Sequence, residues 1–86
     1  MKYRIKVSQK AEDELSGIPA SFMAQIVKKL PLIGENPRGY GEKLKGYELW
    51  KVRSGHYRIV YEIDDAAKTV VIYTVRHRKD VYKKLG

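Results

Sequence analysis

The sequence predicts an α+β fold: a small twisted antiparallel β-sheet, two N-terminal helices packed on one of its faces, and a short C-terminal helix, in the order β-α-α-β-β-β-α. Three observations carry this prediction. Residues 2–7 alternate between apolar and charged side chains, the period of a half-buried strand. Residues 22–33 place apolar side chains at helical spacing. Three runs rich in Val, Ile and Tyr then follow in the second half, joined by links of hairpin length, which favours antiparallel neighbours.

Each element has its own local signal. In the first strand Tyr3, Ile5 and Val7 oppose Lys2, Arg4 and Lys6. Ser8 is suited to N-cap a short helix, with Glu12, Asp13 and Glu14 near its positive end and Gly17 as its stop. Pro19 suits the first turn of a second helix, whose apolar stripe is Phe22, Met23, Ile26, Val27, Leu30 and Ile33. Pro31 lacks a backbone donor, so a kink or an early end is expected there, followed by a last turn before Gly34. Residues 35–46 contain three glycines and a proline and read as a loop, with a spacing that fits neither glycine-rich phosphate-binding pattern. Strands over 47–53 and 57–63 flank a Ser54-Gly55 turn, and a strand over 70–76 follows the connection at 64–67. A short helix from about Lys79 ends the chain. No linker or internal repeat interrupts residues 1–86, which read as a single domain.

Composition narrows the function. Eighteen Lys and Arg against ten Asp and Glu give a net charge of +8, which points to an anionic partner, nucleic acid first and an acidic protein second. The densest stretch, residues 76–84, holds five cationic side chains and one acid; it also contains Val81 and Tyr82, so it is expected to dock on the fold. The absence of cysteine excludes disulfides, a thiolate nucleophile and cysteine-based metal sites, and no metal or cofactor is expected. No apolar run approaches the ~18 residues that span a membrane, and no signal peptide is visible, so the expected location is cytoplasmic.

Strand parity places the charge. Trp50 and Val52 share one face of the second strand, and Leu49, Lys51 and Arg53 the other. Tyr57, Ile59, Tyr61 and Ile63 oppose Arg58, Val60 and Glu62 in the third; Val71, Tyr73 and Val75 oppose Val70, Ile72, Thr74 and Arg76 in the fourth. With the more apolar faces turned to the helices, Lys51, Arg53, Arg58 and Arg76 gather on the uncovered face. Parity alone leaves two readings: ordinary solvent-facing charges, or an anion-binding surface.

The segment Lys51-Val52-Arg53-Ser54-Gly55-His56-Tyr57-Arg58-Ile59-Val60-Tyr61, followed by Val75-Arg76-His77-Arg78-Lys79-Asp80-Val81-Tyr82, resembles the RelE/ParE superfamily of bacterial and archaeal toxins. The Glu35-Asn36-Pro37-Arg38 helix exit, the Lys43-Leu44-Lys45-Gly46 segment, the size and the element order agree, so the resemblance covers essentially the whole chain. Within the RelE branch it implies the toxin of a type II toxin–antitoxin system: a ribosome-dependent endoribonuclease that cuts mRNA in the ribosomal A site, with a RelB-type antitoxin, the ribosome and mRNA as partners and no membrane. ParE-type relatives share the fold and inhibit DNA gyrase without cutting RNA, which is the alternative.

The resemblance also implies roles. Lys51 would activate or orient the 2′-hydroxyl, Arg58 would stabilise phosphorane charge, Arg78 would act near the leaving oxygen, and Tyr82 would stack on or orient a base. Arginine is a poor proton donor, so Arg78 fits an electrostatic role better than that of an acid. The family's better-known members carry a second lysine two residues before Lys51, where this chain has Leu49. That departure leaves room for a histidine, and His77 is the candidate; its other reading is a structural hydrogen bond at a strand end. His56, at a hairpin tip, reads as structural or solvent-exposed. Arg53, Arg76, Lys79, Lys83 and Lys84 are expected contacts to RNA or the ribosome, while Trp50, Tyr57, Tyr61 and Tyr73 are expected in the core.

Overall fold

The computed structural model describes residues 2–77 of the chain. The helix expected from about Lys79, and with it Arg78, Lys79, Tyr82, Lys83 and Lys84, lies outside the described residues. β1 (Arg4–Val7) leads directly into α1 (Gln9–Ser16). Ser8 caps that helix as expected, its Oγ accepting the Ala11 N–H at 3.1 Å, and Gly17 ends it. α2 (Ala20–Glu35) follows, with Pro19 one position earlier than the first turn, as its N-cap.

Pro31 does not end α2 early; the helix runs on to Glu35. Pro31 and Val27, whose carbonyl the proline ring deprives of its helical donor, are both exposed, so the lost bond leaves no buried polar group. The expected apolar stripe is correspondingly narrower. Ile26 and Ile33 are buried, whereas Met23 and Val27 are exposed.

The expected loop at 35–46 is more ordered than its glycines imply. It contains α3 (Pro37–Tyr40), whose Asn36 cap accepts the Gly39 N–H at 3.1 Å, and the two-residue β2 (Glu42–Lys43). Long-range contacts hold it. The buried Tyr61 hydroxyl donates to the Pro37 carbonyl at 2.6 Å, and a Cβ at Gly41 would collide with that hydroxyl. Arg38 forks onto Asp65 at 3.0 and 2.6 Å, and the Tyr3 hydroxyl donates to the same carboxylate at 2.6 Å. These bonds, Arg38 foremost, hold the Asp65 carboxyl well below the usual carboxylate range.

β3 (Trp50–Ser54), β4 (Tyr57–Asp64) and β5 (Thr69–His77) complete the sheet, in the order β1-β5-β4-β3-β2. Ser54 pairs with Tyr57, so the hairpin turn is Gly55-His56, one residue later than expected. Gly55 has φ +60° at the first turn position, the type II′ geometry that glycine favours. The β3–β4 and β4–β5 pairings are antiparallel, as predicted, and β2, inside the segment expected to be a loop, also pairs antiparallel with β3, but β1 joins the far edge parallel to β5. The sheet is therefore mixed at that edge, because alternation in a strand encodes which face is buried and not the direction of the neighbour.

A second correction comes from a bulge. Val60 pairs with Thr74 but Tyr61 pairs with Ile72, leaving Tyr73 without an opposite number. The skip reverses parity along β5, so Val70 and Ile72 join Val75 in the core instead of opposing it. Tyr73, expected inside, is 45% exposed, with the Lys10 ammonium 5.0 Å from its ring centre. The core itself lies on the face met by α1 and α2, where Ala11, Ile26 and Ile33 pack on Val52, Ile59 and Tyr61.

Candidate functional site

On the other face, the strand register builds one row of cations. Arg53 of β3 stands opposite Arg58 of β4, and Arg58 stands opposite Arg76 of β5. The adjacent row is Lys51, Val60 and Thr74. Directly opposed residues share a face, with Cβ atoms about 4.5–5.5 Å apart, and like charges so placed destabilise a sheet. Three arginines abreast therefore call for counter-charge from outside the row.

Exposure varies along the row. Arg53 is exposed, Lys51 and Arg76 are half-buried, and Arg58, on the central strand between two other arginines, is only 4% exposed. The expectation that this face is open therefore fails at its middle, where Val60 is buried too. Acidic side chains approach the flanks. Glu42 of β2 lies 3.5 Å from the Lys51 ammonium, and Glu14 of α1 lies 3.0 Å from Arg76 Nε.

Glu14 is the residue that sequence reasoning missed. Its carboxylate accepts from Thr74 Oγ1 at 2.6 Å, from the Val75 N–H at 2.9 Å and from Arg76 Nε at 3.0 Å. Burial pushes its carboxyl up, but the bonds from Thr74, Val75 and Arg76 outweigh burial and hold it below the ordinary value. Sequence alone groups it with Glu12 and Asp13 as an acid near the helix N-terminus, yet of the three only Glu12 occupies the first turn. The signal available was spacing: Glu14 falls three residues after the fully buried Ala11, on the same side of the helix.

His77 is not brought to the cationic row. It pairs with Tyr57 and so belongs to the helix-facing side, where its ring meets Tyr57 edge-on at 5.5 Å and stacks with His56 at 6.1 Å. Phe22 of α2 completes this cluster, 5.7 Å from Tyr57. Leu49, in the place of the family lysine, is half-buried just ahead of β3, and its carbonyl accepts the Leu44 N–H at 2.9 Å. Among the described residues no group of His, Asp and Glu could hold a metal ion, and no helix is long and apolar enough to cross a membrane.

Known proteins share this fold. Residues 5–82 match the family model for the ParE toxin of the type II toxin–antitoxin system parDE. Toxin RelG of Mycobacterium tuberculosis is 33% identical over 88 residues, covering 98% of this chain and 100% of the relative. The mRNA interferase toxin RelE of Escherichia coli K12 is 32% identical over 90 residues, covering 98% and 94%. Among solved structures, the RelBE2 toxin–antitoxin complex of M. tuberculosis matches with a TM-score of 0.84 at 30% identity, over 91% of this chain and 100% of that one. The intact E. coli RelBE toxin–antitoxin complex matches at 0.77 and 29% identity, over 87% and 95%. With a family model and relatives above 30% identity covering nearly its whole length, this chain belongs to the RelE/ParE superfamily of type II toxin–antitoxin toxins.

Proposed function

We propose that this toxin is a ribosome-dependent endoribonuclease of the cytoplasm, cutting mRNA in the ribosomal A site and held silent by a RelB-type antitoxin. The observation that carries this reading is the row Arg53–Arg58–Arg76 with Lys51 beside it on one sheet face. The relatives named RelG and RelE support it, and relatives of this fold are found in complexes with their antitoxins.

Cutting RNA through its own 2′-hydroxyl requires three services: removal of the 2′-OH proton, stabilisation of the phosphorane, and protonation of the departing 5′-oxygen. The 2′-oxygen bonds to phosphorus as the P–O5′ bond breaks, giving a 2′,3′-cyclic phosphate and a 5′-hydroxyl. Lys51 orients or deprotonates the 2′-OH. Arg58, fixed by burial, is preorganised for the phosphorane, with Arg76 and Arg53 on the flanking phosphate oxygens. Arg78 and Tyr82 keep the roles their motif positions imply: charge stabilisation near the leaving oxygen and stacking on a base. His77, on the opposite face, takes no step. Lys79, Lys83 and Lys84 are further contacts to the ribosome.

Primer extension on a translated message, with and without the protein, tests reaction, target and cut position together. The expected result is a toxin-dependent cut within codons in the A site, slowed about 10²-fold or more by Arg58→Ala. Undiminished cleavage by the Arg58→Ala/Arg78→Ala double variant overturns the site assignment. The second reading, a gyrase inhibitor without ribonuclease activity, is favoured by the ParE name of the matching family model and by Leu49. Gyrase-dependent DNA breaks with intact mRNA would decide for it.

A further inference from the structure

We propose that Glu14 is a positioning residue for cleavage, holding Arg76 by its Nε edge so that the rest of the guanidinium is presented beside Arg58. The inference rests on the endoribonuclease reading above, and it starts from the way β5 loses its neighbour. The parallel pairing with β1 ends at Val7 and Ile72. Ser8 closes that edge, its N–H donating to the Ile72 carbonyl at 3.1 Å and its Oγ to the Tyr73 carbonyl at 2.9 Å. From there α1 turns away, and Glu14 reaches back to three successive residues along the edge of β5 that β1 leaves open.

Closing a strand edge needs only an acceptor for the Val75 N–H, which a neutral side chain supplies. Glu14 does more. It binds Arg76 Nε in the cationic row and Thr74 Oγ1 in the row beside it, both side chains of the same sheet face. The contact to Arg76 is made through Nε alone, which leaves the Nη groups with no partner among the described residues. A guanidinium gripped on one edge is oriented on the other, in the fork geometry that suits phosphate oxygens. The carboxylate also offsets the like-charge opposition of Arg58 and Arg76, which lets the two arginines stand abreast before RNA arrives. The neighbouring Asp13 does none of this; it accepts from Gln9 Nε2 at 3.0 Å.

Glu14→Gln keeps an acceptor for the strand edge and removes the charge. Single-turnover cleavage on mRNA-programmed ribosomes should then fall at least about tenfold at saturating toxin. Half-saturation should shift by less than about threefold, and the melting temperature should change little, whereas Asp13→Asn should cleave as the unaltered chain does. The decisive comparison is made in an Arg76→Ala background, where Glu14→Gln should cost nothing further. A Glu14→Gln protein that cleaves at full rate overturns the inference, as does an equal loss with and without Arg76, which would mark a purely structural role. An unaltered chain that never cuts the message overturns the function reading, and the inference falls with it; an active chain with an indifferent Glu14 overturns the inference alone.

Discussion

Tyr61 carries a phenol into the core and still satisfies it. The side chain is fully buried among Ile26, Ile33 and Ile59, and its hydroxyl reaches the Pro37 carbonyl at 2.6 Å. One residue thus fills the core and ties α3 to the sheet. Removing the hydroxyl strands a carbonyl with little else to bond, so Tyr61→Phe should lose about 1–2 kcal/mol of unfolding free energy in urea titrations at neutral pH. Titration gives a second readout. Burial, and to a lesser extent Tyr40, pushes the Tyr61 hydroxyl up to about 12. The unfolded tyrosine ionises near 10, so the contribution of this group is intact below pH 10 and is lost as pH rises from there through 12. Melting temperatures measured across that window should fall less steeply for Tyr61→Phe than for the unaltered chain; identical slopes would remove Tyr61 from the alkaline transition.

Among the elements, the contact between α2 and β1 leaves the least room. The Tyr3 N–H donates to the Gly34 carbonyl at 2.8 Å, and a Cβ on Gly34 would sit 2.9 Å from the Tyr3 carbonyl oxygen. Alanine gains up to ~1 kcal/mol in helix propensity over glycine, but here the added carbon meets backbone, which cannot swing aside. Gly34→Ala should therefore destabilise by about 1–3 kcal/mol, visible as a lowered urea midpoint with an unchanged slope. A neutral or stabilising result would mean that helix and strand slide apart without loss. The sequence announces Gly34 only as a helix stop, because the strand that needs it is thirty residues away. The same limit explains the other differences. Local signals made β1, α1, α2 and the three later strands legible, since cap, stripe and alternation are short-range. The Tyr73 bulge, the Arg38–Asp65–Tyr3 tie and the parallel direction of β1 depend on cross-strand register or distant partners. Of the site, Arg53, Arg58 and Arg76 were placed on one face by parity because the bulge lies on the far side of Thr74. Glu14 was not, since its partners lie sixty residues on.

At the scale of the whole molecule, the cations of the described residues fall into two populations. Lys51, Arg53, Arg58 and Arg76 are ordered by the sheet, with Glu14 and Glu42 at the flanks. Lys6 on β1 and Lys28 on α2 are exposed and belong to elements outside that row. If the protein works on the ribosome, these populations do separable jobs: the ordered set stabilises charge at one phosphate, and the scattered set contributes to a long-range pull on ribosomal RNA that screens with salt. Lys6→Ala/Lys28→Ala should therefore weaken ribosome association and flatten its dependence on log salt by up to about two units, while leaving single-turnover cleavage unchanged at saturation. Arg58→Ala should do the opposite, depressing cleavage at saturation while keeping most of the salt dependence. Co-sedimentation with ribosomes over a salt series, followed by cleavage of the bound message, measures both in one preparation. An equal loss of saturated cleavage in the two variants would show that the charge acts as one undivided field, and the distinction between steering and chemistry would fail.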